Sequence, residues 1–78
     1  MNTKTIKQLI EQGLPGATAE VIGPDGVHFE AMVIYSGFEK KLPLARHRMV
    51  YATLGTLMGN EIHALSLRTL TPTEAEKE

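Results

Sequence analysis

The spacing of apolar positions switches along the chain between three-to-four and two, and each switch marks a change of element. Ile6, Leu9 and Ile10, with Leu14 a turn further on, make one stripe of a helix that Thr3 or Thr5 can cap. Leu14-Pro15-Gly16 ends it, because the residue before a proline is pushed out of helical geometry. A short run, 17–22, then precedes Gly23-Pro24-Asp25-Gly26, in which Pro24 fixes one φ and Gly26 can supply a positive one. Val27 to Tyr35 reads as a second strand, with Phe29, Ala31, Val33 and Tyr35 on one face and His28, Glu30, Met32 and Ile34 on the other, so the two runs predict a β-hairpin. A loop from Ser36 to Pro43, with room for a helical turn, leads into a helix over 44–58 carried by Val50, Leu54, Leu57 and Met58 and stopped by Gly59-Asn60. Ile62 to Thr71 reads as a third strand closed by Pro72, and 72–78 as a flexible acidic tail.

The predicted order is α-β-β-α-β, an α+β fold with a three-stranded mixed sheet and both helices on one face. If the second and third strands share a sheet, the helix between them makes the pair parallel with a right-handed crossover. That topology matters for chemistry. His28 opens the second strand and His63 the third, so a parallel pair sets both at one edge of the sheet, on strands about 4.8 Å apart.

Composition narrows the function. Seventy-eight residues make a single domain, and 42% hydrophobic with 22% charged residues and a net charge of −1 describe an ordinary globular chain, neither a disordered acidic tail nor a strongly basic nucleic-acid binder. The absence of cysteine removes disulfides, thiolate metal sites and thiol nucleophiles from the chain's own repertoire. No apolar stretch is long enough to span a membrane and the first residues lack a signal-peptide core, so the expected compartment is the cytoplasm.

Two clusters could carry chemistry. Neutral imidazole is the commonest metal ligand, but His28 and His63 alone cannot close a tetrahedral site, so a metal there would be shared with a partner or a small molecule. The plainer reading is two unrelated histidines. Lys40, Lys41, Arg46 and Arg48, four of the eight basic residues, gather about the start of the long helix, where helix geometry and cations together attract phosphate or an acidic partner. The plainer reading there is a solvated helix face. An enzyme finds little support: Ser36 and Ser66 lack a nucleophile-elbow context, and no Walker or dinucleotide glycine motif occurs.

The segments Gly-Val-His-Phe-Glu (26–30), Gly-Phe-Glu-Lys-Lys (37–41), Ala-Arg-His-Arg-Met-Val-Tyr (45–51) and Ile-His-Ala-Leu-Ser-Leu-Arg-Thr-Leu-Thr-Pro (62–72) resemble the BolA family over nearly the whole chain. The resemblance implies a fold related to the class II KH domain and a non-enzymatic role. It implies a monothiol glutaredoxin as partner, with a [2Fe-2S] cluster held between the two proteins and glutathione. In that arrangement the glutaredoxin cysteine and glutathione serve one iron, while a C-terminal histidine, matched by His63, and a hairpin-loop ligand, for which His28 is the candidate, serve the other. Some family members are described as transcriptional regulators, so DNA binding through the basic helix start is the alternative. The apo-protein is expected as a monomer or weak homodimer.

Overall fold

The computed structural model of the chain describes residues 1–62 and 64–78. Asn2, rather than either threonine, caps the first helix: its Oδ1 accepts from the Thr5 N–H at 2.8 Å, so α1 runs Thr3–Gly13. It buries Ile6 and Ile10, the stripe its spacing predicts. Lys7 donates to Glu11 (2.8 Å) and to the Ala19 carbonyl (2.7 Å), and Glu11 accepts the Ala19 N–H (3.0 Å). The Lys7 hydrogen bond, then that of Ala19, holds the Glu11 carboxyl below its ordinary pKa, and the same contacts fasten α1 to the first strand.

β1 (Thr18–Ile22) and β2 (His28–Ile34) form the expected antiparallel hairpin, with Ala19 opposite Val33 and Val21 opposite Ala31. β3 (Ala64–Leu70) pairs parallel with β2, so the sheet order is β1-β2-β3 and β2 is central. Phe29, Ala31 and Val33 are buried as the alternation predicts, and Leu65 joins them across the parallel register. The core lies between this face and the helices, where Ile6, Ile10, Val50 and Leu54 meet it. The opposite face carries Glu20, Ile22, Glu30, Met32, Ser66 and Arg68 in a shallow depression.

The structure departs from the sequence reading further at the end of the long helix and in the tail. The long helix, α2, spans Pro43–Leu54 and ends at Gly55 (φ 54°), not at Gly59. Residues Gly55–Leu57 continue as a 3₁₀ turn, and from it Leu57 and Met58 still reach the core, which is why their spacing looked helical. The tail is not a frayed end over 72–78. It holds a third helix, α3 (Pro72–Glu76), begun by a capping box: the Glu74 N–H donates to Thr71 Oγ1 (3.1 Å) and the Thr71 N–H to Glu74 Oε1 (3.0 Å), with Pro72 in the first turn. Arg68 and Glu78 form an ion pair beyond it.

Candidate functional site

The hairpin turn sets His28. The Gly26 N–H donates to the Gly23 carbonyl at 3.1 Å, and Gly26 adopts φ 77°, a conformation any other residue would strain to reach. Gly23 lies so close over the Phe29 ring that a Cβ there would clash, which folds the turn down on the start of β2. Within the turn, Asp25 Oδ1 accepts the backbone N–H groups of Val27 (2.9 Å) and His28 (2.8 Å), an Asx-type cap. Its other oxygen, Oδ2, lies 2.7 Å from His28 Nδ1. The His28 N–H, then the His28 ring and the Val27 N–H, hold the Asp25 carboxyl far below the usual carboxylate range.

His28 opens β2 on its solvent face, with a side chain 67% exposed. Its register partner on β3 is Ala64, the residue that follows His63 in the chain. His63 itself lies outside the described residues. Among the described residues, no three histidine, aspartate or glutamate side chains gather closely enough to hold a metal ion.

The basic cluster lies at the other end of the sheet. β2 and β3 run together for seven residues, roughly 20 Å, and α2 begins beyond their C-terminal ends. His28 and the basic residues therefore belong to separate surfaces. Lys40, at φ 62°, Lys41 and Arg48 are exposed there, beside Leu42 and Leu44, whose exposures of 77% and 62% leave apolar surface among the cations.

Arg46 does something else. Its side chain is only 12% exposed, and its guanidinium makes a two-pronged ion pair with Glu74 (2.7 and 3.2 Å) while donating to the Lys41 carbonyl (2.8 Å) and the Thr69 carbonyl (3.3 Å). It also lies 5.7 Å over the ring of Phe38, which is fully buried and packs edge-on against Tyr35. Arg46 hydrogen bonding, then that of the Thr71 N–H, pulls the Glu74 carboxyl down to about 2, and Glu74 raises the guanidinium pKa in turn. This arginine, expected as a contact for a partner or nucleic acid, has four of its five N–H donors engaged within the molecule.

Tyr51 packs against the core, and it also makes a polar bond that the sequence reading does not anticipate. Its hydroxyl donates to the Leu65 carbonyl at 3.2 Å, so Arg46 and Tyr51 tie the two ends of α2 to the two ends of β3. An amphipathic pattern cannot announce such a bond, because it depends on which carbonyl the hydroxyl reaches.

A three-stranded mixed sheet, two helices on one face, a histidine at the mouth of the central strand and a basic helix start together define the class of a small α+β domain with two separate exposed polar surfaces. Comparison with known proteins agrees with this architecture. A family profile described as BolA-like protein matches residues 11–74, and the chain belongs to that family. A BolA protein homologue from Coxiella burnetii has a structure that superposes with a TM-score of 0.89 at 49% identity, covering 97% of each chain. BolA-like protein 1 from Homo sapiens is 43% identical over 47 residues, 60% of this chain and 34% of its own. The DNA-binding transcriptional regulator BolA from Vibrio cholerae is 43% identical over 47 residues, 60% of this chain and 44% of its own. The matched segment thus covers less than half the length of either of these two relatives. Among the described residues, no helix is long and apolar enough to cross a membrane.

Proposed function

We propose that this protein is an adaptor that binds a monothiol glutaredoxin and shares a [2Fe-2S] cluster with it and glutathione, with His63 and His28 as the ligands from this chain. The observation that supports it best is the exposed imidazole of His28 at the mouth of β2, in register with Ala64 on the parallel neighbour. The donor chemistry fits. A neutral imidazole with one nitrogen open to solvent can bind iron, and a chain without cysteine leaves the thiolates to the partner. Such a chain completes a site rather than encloses one, as a protein that passes a cluster on or senses it must.

The test is to mix the protein with iron-loaded monothiol glutaredoxin and glutathione and follow visible absorption and circular dichroism. His63→Ala is expected to abolish the spectrum of the mixed complex, and His28→Ala to weaken or alter it. An unchanged spectrum with His63→Ala would remove the reading's main residue.

A second reading, DNA binding through the start of α2, is favoured by the exposed Lys40, Lys41 and Arg48 and by the name of the Vibrio cholerae relative. With Arg46 occupied by Glu74, three cations remain, so log affinity should fall against log salt with a slope of about −3, and Arg48→Ala should reduce it by about one. Retention at low salt without that slope would reject it.

A further inference from the structure

The exposure of His28 hides a constraint on its ring. One oxygen of Asp25 is consumed by two backbone N–H groups, which fix the carboxylate relative to the start of β2, and the second lies 2.7 Å from Nδ1. An ionised carboxylate offers only lone pairs, so the ring must answer with a proton on Nδ1. In the neutral imidazole that leaves Nε2 unprotonated, on the side of the ring away from Asp25. A free neutral histidine side chain prefers the opposite tautomer.

We propose that Asp25 is a positioning residue, which holds His28 as the Nδ1–H tautomer and so presents the Nε2 lone pair at the mouth of β2 as the atom that binds metal. The inference rests on the reading of His28 as a cluster ligand and adds to it the ligating atom and the group that selects it. The arrangement is a carboxylate–histidine pair of the kind that orients metal-binding imidazoles and raises their basicity, built here from residues three apart in one turn. Asp25 does both jobs because its two oxygens are divided: one shapes the turn, the other sets the ring.

Asp25→Asn separates them. The amide Oδ1 can still accept the N–H groups of Val27 and His28, but the atom facing Nδ1 becomes an N–H donor, which turns Nδ1 into the acceptor and sends the proton to Nε2. The ring stays in place with its outward nitrogen blocked.

The experiment reads the ring nitrogens of the free protein by long-range ¹⁵N–¹H correlation at about pH 8.5, where an ordinary histidine is neutral. The amide spectrum serves as the control that Asp25→Asn folds. Wild type is expected to show Nδ1–H at His28 and Asp25→Asn to show Nε2–H. The two proteins and His28→Ala are then each mixed with the iron-loaded glutaredoxin and glutathione. Asp25→Asn is expected to weaken cluster retention by about 10- to 100-fold, the usual cost of losing such an orienting partner.

An Nε2–H ring in wild type, or a tautomer that does not respond to Asp25→Asn, overturns the proposal directly. A reversed tautomer with unchanged retention also overturns it, and the third protein shows how. If His28→Ala weakens retention, His28 is a ligand that needs no help from Asp25. If it does not, the assignment of His28 as a ligand has failed and the positioning role falls with it.

Discussion

Asp25 and Glu74 each hold a basic side chain, one within a turn and the other across the fold. Asp25 reaches His28 three residues away and leaves it mostly in solvent, whereas Glu74 reaches Arg46 across 28 residues and draws it in against Phe38 and the Thr69 carbonyl. The local pair orients a side chain that stays available. The distant pair spends its arginine on holding α3 to the end of the sheet. A cation in a sequence cluster is therefore no guide to a binding surface until its donors have been followed to their acceptors.

The comparison breaks most visibly at the distant pair. Arg46→Ala removes hydrogen bonds to two backbone carbonyls and a carboxylate and uncovers the Phe38 ring, so urea unfolding should show a loss of about 2 kcal/mol. A loss confined to the amide signals of 72–76, with the global midpoint unchanged, would mean that the arginine holds α3 alone.

Acid should act on the same contact more gently. The Glu74 carboxyl titrates at about 2 in the folded protein, against an ordinary 4.5, because Arg46 and the Thr71 N–H favour its charged form. A depressed folded pKa means the contribution is complete above about 4.5 and drains away as pH falls toward about 2. The backbone carbon shifts of 72–76 should therefore move toward coil values within that window. Shifts constant down to pH 2 would show that the capping box and Pro72 hold α3 without the ion pair.

The smallest effect belongs to the local pair. Asp25→Asn keeps the acceptor that the turn uses, so the thermal midpoint should stay where it is even as the His28 tautomer reverses. A clear fall would show that the charge of Asp25, not only its geometry, supports the turn.

The hairpin and its core face were legible because a strand sets Phe29, Ala31 and Val33 on one face, while the polar His28 and Glu30 mark the other as the solvent side. The parallel pairing followed from a helix lying between two strands. The end of α2 was misread because Leu57 and Met58 keep helical spacing through a 3₁₀ turn, so periodicity outlasted the helix that Gly55 stops. For α3 the signal was present: Thr71-Pro72-Thr73-Glu74 spells a capping box with proline in the first turn, obscured by the acidic residues that follow. The Asp25–His28 contact, three residues apart in a turn, was within reach of sequence reasoning, since aspartate in such a turn tends to accept from the backbone just ahead. Arg46 with Glu74 was not, because nothing in the chain between them says that α3 folds back beside α2.

The separation of the two polar surfaces sets what the molecule can carry at one time. Its whole accessible surface is 4860 Å². A partner in a standard interface covers about 800 Å² of it, so two such footprints take about a third. With the mouth of β2 and the start of α2 roughly 20 Å apart along the strands, one footprint centred on each end need not overlap the other. A chain of 78 residues has room to be held at one end while it is read at the other.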